Sequence, residues 1–228
     1  MRDAGIEPTW LVNYLATTDN KEVYAQRIGA SKGCWKQMLL ARLLGSGAPS
    51  RVPDGYLDKK KKKKKRKSAV VKIALEDCDY DVERANSILA RFQKETREFG
   101  DILDHWYEYL LSEEPGGWFY KNRKKRDDGY HVYNKLGFSF NVTKAIEDHG
   151  WHAAASKLVS HRLFGEEQAF IIQIINISPG YQYLIYCNEH DGVVSKGIIP
   201  PEAIDKASKD SGVPEGDLIL KEWAPPEI

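Results

Sequence analysis

Apolar residues in the first fifty positions recur at helical spacing. Trp10, Leu11, Tyr14 and Leu15 fall at i, i+1, i+4 and i+5 behind Pro8, which suits a first helical position, so a helix over residues 8–17 is expected. Tyr24, Ile28, Ala30, Trp35 and Met38 carry the pattern through two further segments, with Gly29 as the break between them and the small Ala25 allowing close approach. Asp19 followed by Glu22 predicts a capping pair for the second helix, and Ser31 an N-cap for the third. Gly45, Gly47 and Pro49 then stop the helix. The pattern predicts a three-helix bundle over residues 1–48.

Residues 49–68 are expected to be a disordered basic linker, because the lysine run they contain has no apolar face and its like charges resist compaction. Helical spacing returns over residues 69–114. Val70, Ile73, Ala74 and Leu75 mark one segment and Val82, Ala85, Ile88 and Leu89 the next, with Asp79 and Asp81 favouring a helix start between them. Phe99, Ile102, Leu103, Trp106, Tyr107 and Leu110 mark a third, over residues 96–111, which ends before Pro115. From residue 115 to 228 the pattern is mixed. Residues 130–140 alternate as short strands do, and residues 141–148 and 151–163 are helical around Gly150. Ala169 to Ile177, Tyr181 to Cys187 and Val193 to Ile199 are β-rich runs with short connections, which predict an antiparallel meander. A covering helix over residues 201–211 and a last strand over residues 217–223 complete an α+β fold.

The net charge of +1 conceals segregation along the chain. Nine consecutive cations, Lys59, Lys60, Lys61, Lys62, Lys63, Lys64, Lys65, Arg66 and Lys67, form one block, and five of the six residues from Lys121 to Arg126 are basic. Between them, Lys72 to Glu114 carries twelve acids and five bases, so this segment repels a polyanion and any nucleic-acid surface must be local. No run approaches the roughly 18 apolar residues of a spanning helix, and no apolar stretch follows a basic start, so no membrane partner is expected. Cys34, Cys78 and Cys187 are odd in number and outside metal spacings, which fits a reducing, intracellular setting.

Lys21 to Leu44, with its turn glycine, small residue and polar second helix, resembles the helix-turn-helix of DNA-binding proteins. The resemblance covers about a tenth of the chain. It implies that Ser31, Lys32, Lys36 and Gln37 reach bases and phosphates from the second helix, with Arg27 and Arg42 adding backbone contacts. Gln suits an adenine edge and Lys a guanine edge or a phosphate. The block Lys59 to Lys67 would add a flexible arm that strengthens binding without selecting sequence. In a nucleated cell the same run reads as an import signal, and as a plain linker it keeps two domains apart.

Ala74-Leu75 through Asp81-Val82, Ala85 and Leu89 resembles the last two helices of a ubiquitin-associated three-helix module, which implies an adaptor. Ordinary packing of two helices produces the same spacing. His149, His152 and His161 are the densest histidine group, but Gly150 interrupts their shared face and no further ligand completes a metal spacing; capping, surface or core roles are expected, and no metal or cofactor. For a nuclease, Asp191, Lys196, Glu189, Glu166 and Glu167 are the nearest to a converging set, with Val194 where a second acid is wanted. Tyr181 and Tyr183 could stack on bases or fill a core.

The sequence therefore points to a non-catalytic DNA-binding protein, a transcriptional or replication-related regulator located in a nucleoid or nucleus. Its C-terminal sheet would serve self-association, a protein partner or a ligand. A DNA-processing nuclease and a protein-interaction adaptor are the alternatives.

Overall fold

The computed structural model of the chain describes residues 5–57, 68–189 and 192–213. The lysine run and the strand expected over residues 217–223 lie outside the described residues. Within them the protein is α+β. Ten α-helices are described: α1 (Thr9–Ala16), α2 (Asn20–Ile28), α3 (Lys32–Leu43), α4 (Ala69–Asp77), α5 (Val82–Glu95), α6 (Arg97–Leu111), α7 (Trp118–Asn122), α8 (Val142–His149), α9 (Trp151–Ile177) and α10 (Pro201–Ser211). Five strands form two small antiparallel sheets. The first has the order β1 (Lys124–Arg126), β2 (Gly129–Tyr133), β3 (Ser139–Asn141), and the second pairs β4 (Leu184–Glu189) with β5 (Gly192–Lys196). The chain divides into two compact units, one of residues 1–130 and 142–159, the other of residues 131–141 and 160–228.

In the first unit the periodic positions of α1 to α6 meet in one aromatic core. Trp10 stacks on Tyr14 with centroids 5.3 Å apart and on Phe99 at 4.9 Å, while Trp35 meets Phe92 edge-on at 5.5 Å. Such pairs add to the burial of their large apolar surfaces. Their polar ends are satisfied inside the core: the Trp35 indole donates to the Tyr14 hydroxyl at 3.2 Å and the Trp10 indole to the Glu95 carbonyl at 2.9 Å. Helices α1 to α3 and the helices of 69–114 thus share a core, where the spacing predicts a separate bundle. Periodicity marks which residues face inward, and it is silent on which partner they meet. The second-helix cap also differs. Asp19 is left-handed at φ 50° and caps with its carbonyl, which accepts from the Glu22 and Val23 amides, while its side chain makes no cap hydrogen bond.

The second unit is built on the C-terminal part of α9. Residues 169–177, expected as a strand, continue this helix without interruption, so the predicted three-strand meander reduces to the β4–β5 hairpin. Gly165 lies inside this helix, where a Cβ would come within 2.5 Å of the Asn134 side chain, so the glycine allows the close packing. Phe170, Ile171 and Ile174 then fall at i, i+1 and i+4 and are buried with Tyr183, Ala203 and Ala207. The Tyr183 hydroxyl closes this core by donating to the Ile174 carbonyl at 2.7 Å. Asn134 shapes the β2–β3 loop by accepting from the Leu136 and Phe138 amides at 3.0 and 3.1 Å.

Candidate nucleic-acid interface

Residues 21–44 fold as their local chemistry dictates. Gly29 takes φ 74°, a left-handed conformation open to glycine at little cost, and ends α2 with its amide on the Gln26 carbonyl. Ser31 caps α3 by accepting from the Cys34 amide at 3.1 Å. Tyr24, Ala25, Ile28, Trp35 and Met38 are buried as expected, and Ala30 is half-buried. The Cys34 thiol, pushed up to about 12 by its burial, is held protonated beside the Met38 sulfur at 3.4 Å.

On the outer face of α3, Lys32, Lys36 and Gln37 are exposed, and among the described residues they make no ion pair or side-chain hydrogen bond. Lys32, Lys36 and Leu40 follow one another at i, i+4 spacing, with Gln37 beside them. Leu40 is 51% exposed and gives the ridge an apolar centre. The helix is about 18 Å long at about 1.5 Å per residue, enough to lie along a major groove.

The other three candidates on this segment are engaged. Ser31 donates its hydroxyl to Asp77 Oδ1 and its amide to Asp77 Oδ2, the latter at 3.0 Å. Arg27 is paired with Glu95 at 2.9 Å, which holds its guanidinium firmly charged, and it lies 4.4 Å from the centre of the Tyr24 ring. Arg42 is half-buried. One of its terminal nitrogens donates to the Ser46 carbonyl at 3.4 Å, and the guanidinium occupies the space beside Gly100, where a Cβ would collide with it. The acid-rich segment thus supplies carboxylates to two of the six residues. Its composition announced a general repulsion of polyanions; which acid meets which base depends on tertiary packing that no local spacing encodes.

The remaining sequence candidates are not brought together. His149 and His152 are exposed, and His152 packs edge-on against Trp151 at 5.0 Å. His161, in the second unit, stacks on Phe140 at 5.5 Å; desolvation lowers its pKa, against the opposing effect of a hydrogen bond with the Phe138 backbone. Among the described residues no group of three or more His, Cys, Asp or Glu is placed to hold a metal ion. Glu166 is taken up by Lys135 at 3.1 Å and Arg162 at 4.0 Å, and Asp191 lies outside the described residues. Tyr183 is a core residue and Tyr181 is half-buried. No described helix is long and apolar enough to cross a membrane.

No family model matches the chain, and no curated protein and no solved structure matches it.

Proposed function

We propose that the protein is a non-catalytic DNA-binding protein whose exposed α3 ridge of Lys32, Lys36 and Gln37 enters a major groove. One observation carries the proposal: these three side chains stand together in solvent, without partners among the described residues, on a helix whose opposite side is buried. Lys32 and Lys36 address phosphates or guanine edges, Gln37 an adenine edge, and Leu40 a thymine methyl. Arg27 and Ser31 are already paired with Glu95 and Asp77, so the proposal rests on the other three side chains. The block Lys59 to Lys67 adds affinity by releasing counterions. A regulator of transcription or replication, held in a nucleoid or nucleus, is the role this chemistry fits.

The test is binding of the full chain to mixed-sequence duplex at two salt concentrations. Changing Lys32, Lys36 and Gln37 together to Ala should weaken binding about tenfold or more, given the roughly 1–3 kcal/mol a good base contact contributes. Shortening the lysine run should weaken binding and flatten the salt slope by about 0.9 for each phosphate no longer neutralised. Equal binding by the triple variant would show that the ridge does not meet DNA.

A second reading has one observation behind it. Helices α3, α4 and α5 pack in succession, and Tyr80 and Val82 are 55% and 37% exposed at the α4–α5 turn. This arrangement suits the protein-interaction adaptor that the ubiquitin-associated resemblance implies. Retention of duplex at low salt separates the two.

A further inference from the structure

The second basic cluster, Lys121 to Arg126, plays no part in the α3 ridge. It lies on the end of α7 and on β1, within the first unit. Lys121, Lys124, Lys125 and Arg126 are all exposed, so four cations reach solvent within six residues. Arg123 behaves differently. Its guanidinium carbon lies 4.5 Å from the centre of the Tyr120 ring, 5.0 Å from that of Tyr130 and 5.7 Å from that of Phe119. Phe119 is buried and meets Tyr130 edge-on at 6.1 Å, which anchors the group to the core.

This packing has a consequence for Tyr120. Its ring is held in place by a cation over it, yet the residue remains 41% exposed. A fixed, half-open aromatic ring with exposed lysines close to it in the chain is the combination that single-stranded nucleic acid requires, because bases stack on the ring while phosphates follow the cations. A duplex or an anionic lipid surface would use the charges and leave the ring idle. Asp127 and Asp128 sit in the β1–β2 turn, and Glu113 and Glu114 precede α7, where the Tyr120 amide donates to the Ser112 carbonyl at 3.2 Å.

We propose that Tyr120, fixed by Arg123 and close in the chain to Lys121, Lys124, Lys125 and Arg126, is a stacking platform for single-stranded DNA or RNA. It is a second site, independent of α3. The probe is fluorescent oligothymidylate of about a dozen nucleotides, a length within the roughly 4–16 nucleotides such grooves cover. A phosphodeoxyribose chain of equal length without bases measures phosphate attraction alone, including that of the lysine run. An oligouridylate arm distinguishes an RNA source from DNA.

The full chain should bind the thymine oligomer about tenfold more tightly than the abasic one, the scale of one base stacked on an aromatic ring. Tyr120→Ala should abolish that preference and Tyr120→Phe should keep it. Changing Lys121, Lys124 and Lys125 to Ser should weaken both oligomers and flatten the salt slope by about 0.7 for each phosphate left without its cation. The variant lacking the Lys32, Lys36 and Gln37 side chains should retain the preference, so failure of the duplex proposal and failure of this one are told apart. Equal affinity for the two oligomers in the unaltered protein overturns the platform. So does a preference that survives Tyr120→Ala, or one that Tyr120→Phe abolishes as fully as Tyr120→Ala.

Discussion

Ser31 and Asp77, forty-six positions apart, are clasped: the Ser31 hydroxyl and amide both donate to the Asp77 carboxylate, the amide at 3.0 Å. The same hydroxyl accepts from the Cys34 amide, so the α3 cap is tied to the end of α4. A carboxylate here also sits at the positive end of the α3 dipole, where it stabilises the helix. It places a negative charge beside the ridge that is proposed to meet phosphates.

Asp77→Asn therefore has two opposed effects. The fold should lose about 1 kcal/mol, from a weaker helix-end interaction and a neutral rather than charged hydrogen bond. Duplex binding should tighten by about threefold, the scale of one repulsive charge at several ångströms in water. Denaturant unfolding and a binding titration on one preparation read both. Weaker binding by this variant would show that Asp77 matters to the ridge only by shaping it.

Trp35 is fully buried and reaches Tyr14 on α1 and Phe92 on α5. Trp35→Ala should cost about 3–5 kcal/mol, as expected for a large aromatic removed from a packed core. Because the core is common, amide exchange should accelerate together in α1, α3, α5 and α6. Acceleration confined to α1 to α3 would mean that these helices form their own cooperative unit.

His161 makes the second unit sensitive to acid. Its pKa in the folded chain is lowered by burial, and its Nε2 is buried without a hydrogen-bond partner among the described residues. The unfolded chain then takes up the proton first as pH falls. Stability that is complete above the ordinary histidine value, about 6.5, should decline as pH drops below it toward the folded value. Nuclear magnetic resonance titration should give His161 a midpoint below that ordinary value. His161→Phe should remove its share of the pH dependence of unfolding. A midpoint at or above the ordinary value would contradict the assignment.

Much of the helical architecture was legible in local chemistry. Gly29 and Ser31 mark the α2–α3 turn, and Asp81 caps α5 by accepting from the Glu83 and Arg84 amides, as its type and place suggest. What escaped depended on distant partners. The isoleucines of residues 169–177 look like a strand, and the packing of Gly165 against Asn134 inside the same helix has no local signal. Inside a long helix their small propensity cost, a few tenths of a kcal/mol each, is outweighed by burial of Ile171 and Ile174. At the candidate interface the types Lys32, Lys36 and Gln37 were legible, but the engagement of Ser31 by Asp77 and of Arg27 by Glu95 was not. The cation-bound ring of Tyr120 was equally hidden, since Arg123 counts in the sequence as one more charge in a basic run.

Duplex DNA is proposed to meet the protein on the outer side of α3. Amide and side-chain resonances of the full chain, followed during titration with duplex, test it at each residue. Lys32, Lys36, Gln37 and Leu40 should shift first and most at moderate salt, while buried Trp35 and Met38 shift little. Duplex-dependent shifts that spare α3 would contradict the claim and leave the ridge as an ordinary solvated surface.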